Sequence, residues 1–187
     1  MKLLTVKFGE KYGPELVNKF LDYGEVYCYT DNVYGLSRDI TIIEPLGNKY
    51  KIPYFYKIDL FSPQMPNEQF LYVDLDANIY GDINKLRREE FTLTYSYWRP
   101  KSEITKYTRT MITSGVMSWY KKPVEIYDYF INNQEEVFTF WPGVDPFVEK
   151  MLFNYNVFEE HLVGSQGSWN IKPIIELPKR AKRNDTS

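Results

Sequence analysis

The chain is poor in the residues that hold soft metals or staple small folds. Its 187 residues include one cysteine, Cys28, and one histidine, His161. A lone cysteine excludes an internal disulfide framework and a thiolate metal cluster. A lone histidine excludes a multi-histidine centre. The sequence has no run of about 18 apolar residues, and residues 1–8 alternate rather than forming a signal-peptide pattern. These absences predict a soluble, cytoplasmic protein with no transmembrane segment. Any metal chemistry would have to rest on carboxylates.

Aromatic residues are plentiful at 18%, with 17 Tyr, 12 Phe and 4 Trp. Such ring surface fills a core or lines a site for flat, hydroxylated molecules. The length suits one domain with a core of its own. The net charge is −2, but the last nine residues carry four basic groups and one acidic group. The rest of the chain therefore stands at −5 and is a poor general partner for nucleic acid. Residues 1–178 are expected to form the domain, and 179–187 a basic, flexible tail. A homo-oligomer is compatible with this composition.

Residues 3–8, 25–30, 40–43, 70–75, 91–97, 111–120 and 137–140 have the β-branched and aromatic content of strands. Pro14-Glu15 opens a helix running to about Leu21, because proline suits the first turn and glutamate its positive end. Residues 54–61 follow Pro53 as a helix, Asp82 caps a short one through Leu86, and Pro123 and Asp145-Pro146 start two more. Residues 99–109 read as an exposed polar loop. A last apolar piece spans 174–177. Strands alternating with helices predict an α/β fold.

The most informative stretch is Leu71-Tyr72-Val73-Asp74-Leu75-Asp76. It places two carboxylates after an apolar strand, the edge where ligands gather in open α/β sheets. Acids at i and i+2 in extended chain share a side, so Asp74 and Asp76 can converge on a hard divalent cation. Acid-x-acid also occurs in ordinary loops and caps, so the triplet alone is compatible with a structural role.

In order along the chain stand Thr5-Val6-Lys7-Phe8-Gly9, Lys11-Tyr12-Gly13-Pro14-Glu15, Tyr29-Thr30-Asp31-Asn32 and Tyr56-Lys57-Ile58-Asp59-Leu60-Phe61. The Asp74-Leu75-Asp76 block with Ile79-Tyr80-Gly81-Asp82-Ile83, then Thr113-Ser114-Gly115-Val116-Met117-Ser118-Trp119, then Gly143-Val144-Asp145, complete the series. Together they resemble the small GT-A-fold glycosyltransferases with an Asp-x-Asp motif, similar to the family-8-like nucleotide-sugar transferases, over roughly residues 3–155. The resemblance implies a single GT-A-like domain with a central mixed, mostly parallel sheet. It departs from the family in three places. The first helical region is abbreviated, and Pro146 follows Asp145 where the family commonly has glutamine. The closing His-x-x-Gly-x-x-Lys-Pro stretch begins at His161-Leu162-Val163-Gly164, but its Lys-Pro comes only at Lys172-Pro173.

The resemblance also implies roles. Thr5, Val6, Lys7 and Tyr12 would border the nucleotide, with Thr30 and Asp31 near base or ribose. Lys57 would approach donor phosphate or sugar hydroxyls, although a lysine among aromatics can simply snorkel. Asp74 and Asp76, with His161 as third ligand, would hold Mn²⁺ or Mg²⁺, and Leu75 lies within that donor site. Thr113, Ser114 and Gly115 would floor the sugar pocket. Asp145 would hydrogen-bond the sugar or act as a base, or else cap the helix before Pro146. Trp98, Trp119, Trp141 and Trp169 are candidates for stacking an acceptor or for core packing. The expected reaction moves a hexosyl group from a UDP-sugar to a sugar, lipid or protein acceptor. The alternatives are a sugar-1-phosphate nucleotidyltransferase, for which Gly9-Glu10-Lys11-Tyr12-Gly13 is a poor phosphate loop, and a non-catalytic nucleotide-sugar or carbohydrate-binding module.

Overall fold

Leu3 and Leu4 are buried on opposite faces of the first strand, β1 (Lys2–Lys7), each in a different apolar cluster. That alternation makes β1 the centre of a sheet covered on both sides. The computed structural model describes residues 1–47, 49–50, 52–99, 110–141, 143–152 and 155–179. After β1 the chain enters a one-turn helix, α1 (Glu15–Asn18), continued as a 3₁₀ turn over Lys19–Tyr23. Strand β2 (Glu25–Thr30) returns parallel to β1, and β3 (Thr41–Ile43) is parallel to β2.

The segment Pro53–Phe61 is a 3₁₀ helix, and β4 (Phe70–Val73) then pairs parallel with β1 on its other side. The chain has stepped outward to β2 and β3 and come back past β1. This reversal is a topological switch point, the place where open α/β sheets bind ligands outside the strand ends, here those of β1 and β4. Strand β5 (Asn78–Ile79) follows, then a 3₁₀ turn at Ile83–Leu86 capped by Asp82, whose carboxylate accepts from the Asn84 amide. Strands β6 (Thr92–Tyr95) and β7 (Ile112–Trp119) complete the large sheet with β8 (Asn156–Val157). The order is β3-β2-β1-β4-β7-β6-β8. The sheet is mixed: β7 is antiparallel to both β4 and β6, while β8 is parallel to β6.

Helices α2 (Val124–Asn132), α3 (Gln134–Phe140) and α4 (Val144–Met151) occur between β7 and β8. A second sheet is built from β5, β10 (Ile175–Leu177) and β9 (Val163–Ser165), with β10 in the middle. Among the described residues no helix is long and apolar enough to cross a membrane.

Much of the aromatic surplus is core. Phe55 and Phe130 stack with ring centroids 5.2 Å apart, and Trp119 packs edge-on to Phe61. The expected strand at 137–140 is instead helix α3. A short apolar run does not distinguish the two states by periodicity. Here Glu135 and Glu136 occupy the first turn, where carboxylates favour a helix, and Val137 is buried while Phe140 is exposed. Apart from Arg99 and Lys179, the expected 99–109 loop and 179–187 tail lie outside the described residues.

Candidate active site

Strand β4 ends at Val73, and the next residues turn: the Ala77 amide donates to the Asp74 carbonyl. The Asp74 amide donates to the Gly115 carbonyl of β7, which fixes where the first carboxylate leaves the sheet. Two donors then meet on Asp74 Oδ1. Lys57 Nζ lies 2.6 Å away, and the Tyr72 hydroxyl donates at 2.6 Å. Tyr72 is wholly buried. Desolvation, then the Asp74 charge, push its hydroxyl well above the ordinary tyrosine value, so it remains a donor. The Lys57 ammonium also sits 5.2 Å from the Tyr72 ring centre.

Lys57 is positioned from below. Two residues on, Asp59 is fully buried and accepts from Tyr29 Oη at 2.7 Å and Tyr50 Oη at 2.5 Å. Burial and the carboxylate raise both hydroxyls. The 3₁₀ helix is therefore tied to β2 through a buried carboxyl group, and Lys57 faces the sheet end rather than snorkelling outward.

The network continues to helix α4. Lys57 Nζ is 3.5 Å from Ser114 Oγ. The Ser114 amide donates to Asp145 Oδ1 at 2.9 Å, and its hydroxyl donates to the same oxygen at 2.5 Å. Asp145 is therefore not the helix cap. Gly143 occupies that position, and the Asp145 carboxylate, 6% exposed, crosses to β7 instead. Gly115 is small for a reason: a Cβ there would meet Leu177 Cδ2 at 2.8 Å and Asp74 Oδ2 at 3.4 Å. Thr113 is buried beside it, and its hydroxyl accepts from the Gly115 amide.

Asp76 is held by a different element. The Tyr12 hydroxyl donates to Asp76 Oδ2 at 2.9 Å. Burial, more than this bond, raises the Tyr12 pKa. Lys11 Nζ stands 4.5 Å from the Tyr12 ring centre. Hydrogen bonding to Tyr12, more than the charge of Asp76, raises the lysine's own pKa. Lys19 reaches across to donate to the carbonyls of Leu75 and Ala77 at 2.9 and 2.8 Å. Burial lowers its pKa. Lys19 clamps the turn that carries both acids. Neither Lys19 nor Tyr72 was singled out in the sequence. The Tyr72-x-Asp74 spacing offered a clue, because alternate residues at a strand end share a face.

The structure thus gathers Lys57, Asp74, Thr113, Ser114, Gly115 and Asp145, with Tyr12, Leu75 and Asp76 beside them. Lys7 and Thr30 end adjacent strands and are buried, Thr5 is buried below Lys7, and Val6 is half-buried. Asp31 is exposed just past β2. His161 is not brought to the acids. It is exposed in the turn before β9 and joins no metal-holding cluster among the described residues. The end of β9 nearer the site is Ser165, which pairs with Leu177. Of the tryptophans, Trp119 is core, and Trp169 is part exposed with its indole N–H donating to Glu176.

Among the described residues no cluster of three Asp, Glu, His or Cys side chains could hold a metal. The donor chemistry nevertheless suits a hard cation. The hydrogen bonds above engage Asp74 Oδ1 and Asp76 Oδ2, and each carboxylate has a second oxygen to offer.

Neither a scan against protein-family models nor a search of curated proteins finds a match. Solved structures do match. The galactosyltransferase LgtC, crystallised with donor and acceptor sugar analogs, aligns with a TM-score of 0.59 at 14% identity, over 89% of this chain and 76% of that one. The glycosyltransferase GlyE of Streptococcus pneumoniae TIGR4 aligns with a TM-score of 0.63 at 12% identity, over 93% of this chain and 54% of that one. The chain thus spans about three quarters of the first and about half of the second. At this identity the likeness establishes the fold, an α/β domain of the GT-A glycosyltransferase type.

Proposed function

We propose that the protein is a glycosyltransferase that moves a hexosyl group from a nucleotide-diphosphate sugar, most simply a UDP-sugar, to a sugar, lipid or protein acceptor. The observation that carries this reading is the Lys57–Asp74 pair, 2.6 Å apart at the switch-point end of β4 and joined through Ser114 to Asp145. A fold used by glycosyltransferases supports it. A lysine, two carboxylates and a small-residue floor match a donor that is anionic at one end and hydroxylated at the other.

In this reading the nucleotide lies over the ends of β1 and β2, against Thr5, Val6, Lys7, Tyr12, Thr30 and Asp31. Asp74, its Oδ1 already occupied, offers Oδ2 to ribose or sugar hydroxyls. Asp76 and Asp74 would together hold Mn²⁺ or Mg²⁺, with the remaining positions taken by phosphate and water. Such a cation stabilises a departing diphosphate. His161 has no part in that shell. Lys57 orients the sugar end and offsets charge that develops on the leaving oxygen. Thr113, Ser114 and Gly115 let the sugar ring approach the backbone. Asp145, held in one rotamer by two Ser114 donors, binds sugar hydroxyls or accepts a proton from the acceptor.

A metal-dependent screen of UDP- and GDP-sugars, read by nucleotide release, tests the proposal. Release that needs a divalent ion and disappears in Asp76→Ala supports it. The absence of both donor binding and release would defeat it. Binding without release would instead favour a non-catalytic nucleotide-sugar module.

A further inference from the structure

Lys7 is the last residue of β1 and is 4% exposed. Among the described residues no hydrogen bond or ion pair reaches its ammonium. The other lysines of this region are all engaged: Lys11 over the Tyr12 ring, Lys19 on two carbonyls, Lys57 on Asp74.

Along the sheet, the residues that share a face with Lys7 offer it no counter-charge. Parallel register sets Thr5 beside Cys28 and Lys7 beside Thr30, so all four share one face of the sheet. The Thr30 hydroxyl is used in its own loop, where it accepts from the Asn32 amide. Cys28 is a buried, neutral thiol. The Thr5 hydroxyl is buried on the same face and, among the described residues, has no hydrogen-bond partner. Among the described residues a buried lysine and a buried hydroxyl, both without a partner, therefore lie on one face of β1 at the switch point of the fold.

A charge buried without a partner costs stability, and an unbranched apolar side chain of similar length would fill the same space without that cost. Such a cost is tolerated where a ligand later relieves it. A full positive charge calls for an anionic oxygen, because a neutral base carbonyl leaves most of the charge uncompensated. We propose that Lys7 is an anion-binding residue of this cleft, whose ammonium takes the diphosphate of the bound nucleotide. The identity of that anion rests on the nucleotide-sugar reading above. The anion site itself rests on burial and missing partners.

The test compares wild type, Lys7→Met and Lys7→Arg by calorimetry with UDP, inorganic pyrophosphate and uridine, and by thermal melting without ligand. Lys7→Met is expected to weaken UDP and pyrophosphate at least about tenfold while changing uridine less than about twofold. Its melting temperature without ligand is expected to match or exceed that of wild type. Lys7→Arg, which keeps the charge, is expected to stay within about threefold of wild type for UDP. Lys7→Met that binds UDP like wild type overturns the proposal, as does an equal loss for UDP and uridine. A lowered melting temperature with UDP affinity intact assigns Lys7 to structure alone. Wild type that binds pyrophosphate in a Lys7-dependent way but no nucleotide sugar supports the anion site and defeats the donor reading. Wild type that binds neither UDP nor pyrophosphate overturns both.

Discussion

Lys57 Nζ and Asp74 Oδ1 stand 2.6 Å apart, although 17 residues separate them in sequence and they come from different elements. The pair links the 3₁₀ helix that carries Lys57 to the end of the central strand β4. Lys57→Met would leave Asp74 with the Tyr72 hydroxyl alone. Nucleotide release from the donor is expected to fall at least about tenfold, with Lys57→Arg in between. Thermal melting of both variants checks that the fold survives.

Asp59 is expected to act at a distance. It is the buried carboxyl group that Tyr29 and Tyr50 hold, and it tethers the helix that carries Lys57. Asp59→Ala leaves two buried hydroxyls without an acceptor and should cost about 3 kcal/mol of stability. Denaturant unfolding measures that loss. Activity of the folded fraction should drop as well, because Lys57 is no longer fixed.

Gly115→Ala tests the floor of the site. The added methyl would stand 2.8 Å from Leu177 Cδ2 and 3.4 Å from Asp74 Oδ2. Leu177 must move, at a cost of about 1–3 kcal/mol typical of overpacking. Donor affinity is expected to fall with stability, whereas Leu177→Ala combined with Gly115→Ala should recover part of both.

The single thiol should be inert. Burial pushes the Cys28 pKa up to about 12, so almost no thiolate exists at neutral pH. Disulfide reagents should label Cys28 only on unfolding. Above the ordinary thiol value the unfolded chain loses its proton first, so the folded state binds more protons and stability falls as pH rises toward 12. Cys28→Ala should flatten that alkaline slope, by at most about 1.4 kcal/mol per pH unit.

The strands and the acidic pair were legible in the sequence because alternation and a run of apolar residues report burial directly. Strand β2 falls at the expected residues, and Asp82 caps the expected turn. Residues 137–140 pattern as a strand yet lie in helix α3, because four residues do not carry a period. Asp145 had two readings in sequence, cap or site. Gly143 takes the cap position and Asp145 pairs with Ser114, 31 residues away, so the cap is ruled out; no local pattern encodes that contact. The Asp59–Tyr29–Tyr50 anchor was likewise invisible, because its members are spread over three segments. The motif at His161 matches only in its first half, and among the described residues His161 forms no metal-holding cluster with the two acids.

The carboxylate Asp76, held by Tyr12 at 2.9 Å, gives the most direct test of the whole account. Calorimetry of UDP binding with and without Mn²⁺, on wild type and Asp76→Asn, measures it. The account predicts Mn²⁺-dependent binding by wild type and at least about a tenfold loss in Asp76→Asn, with melting temperature unchanged within a few degrees. Equal affinity in the two proteins, or no UDP binding by the wild-type chain, would contradict it.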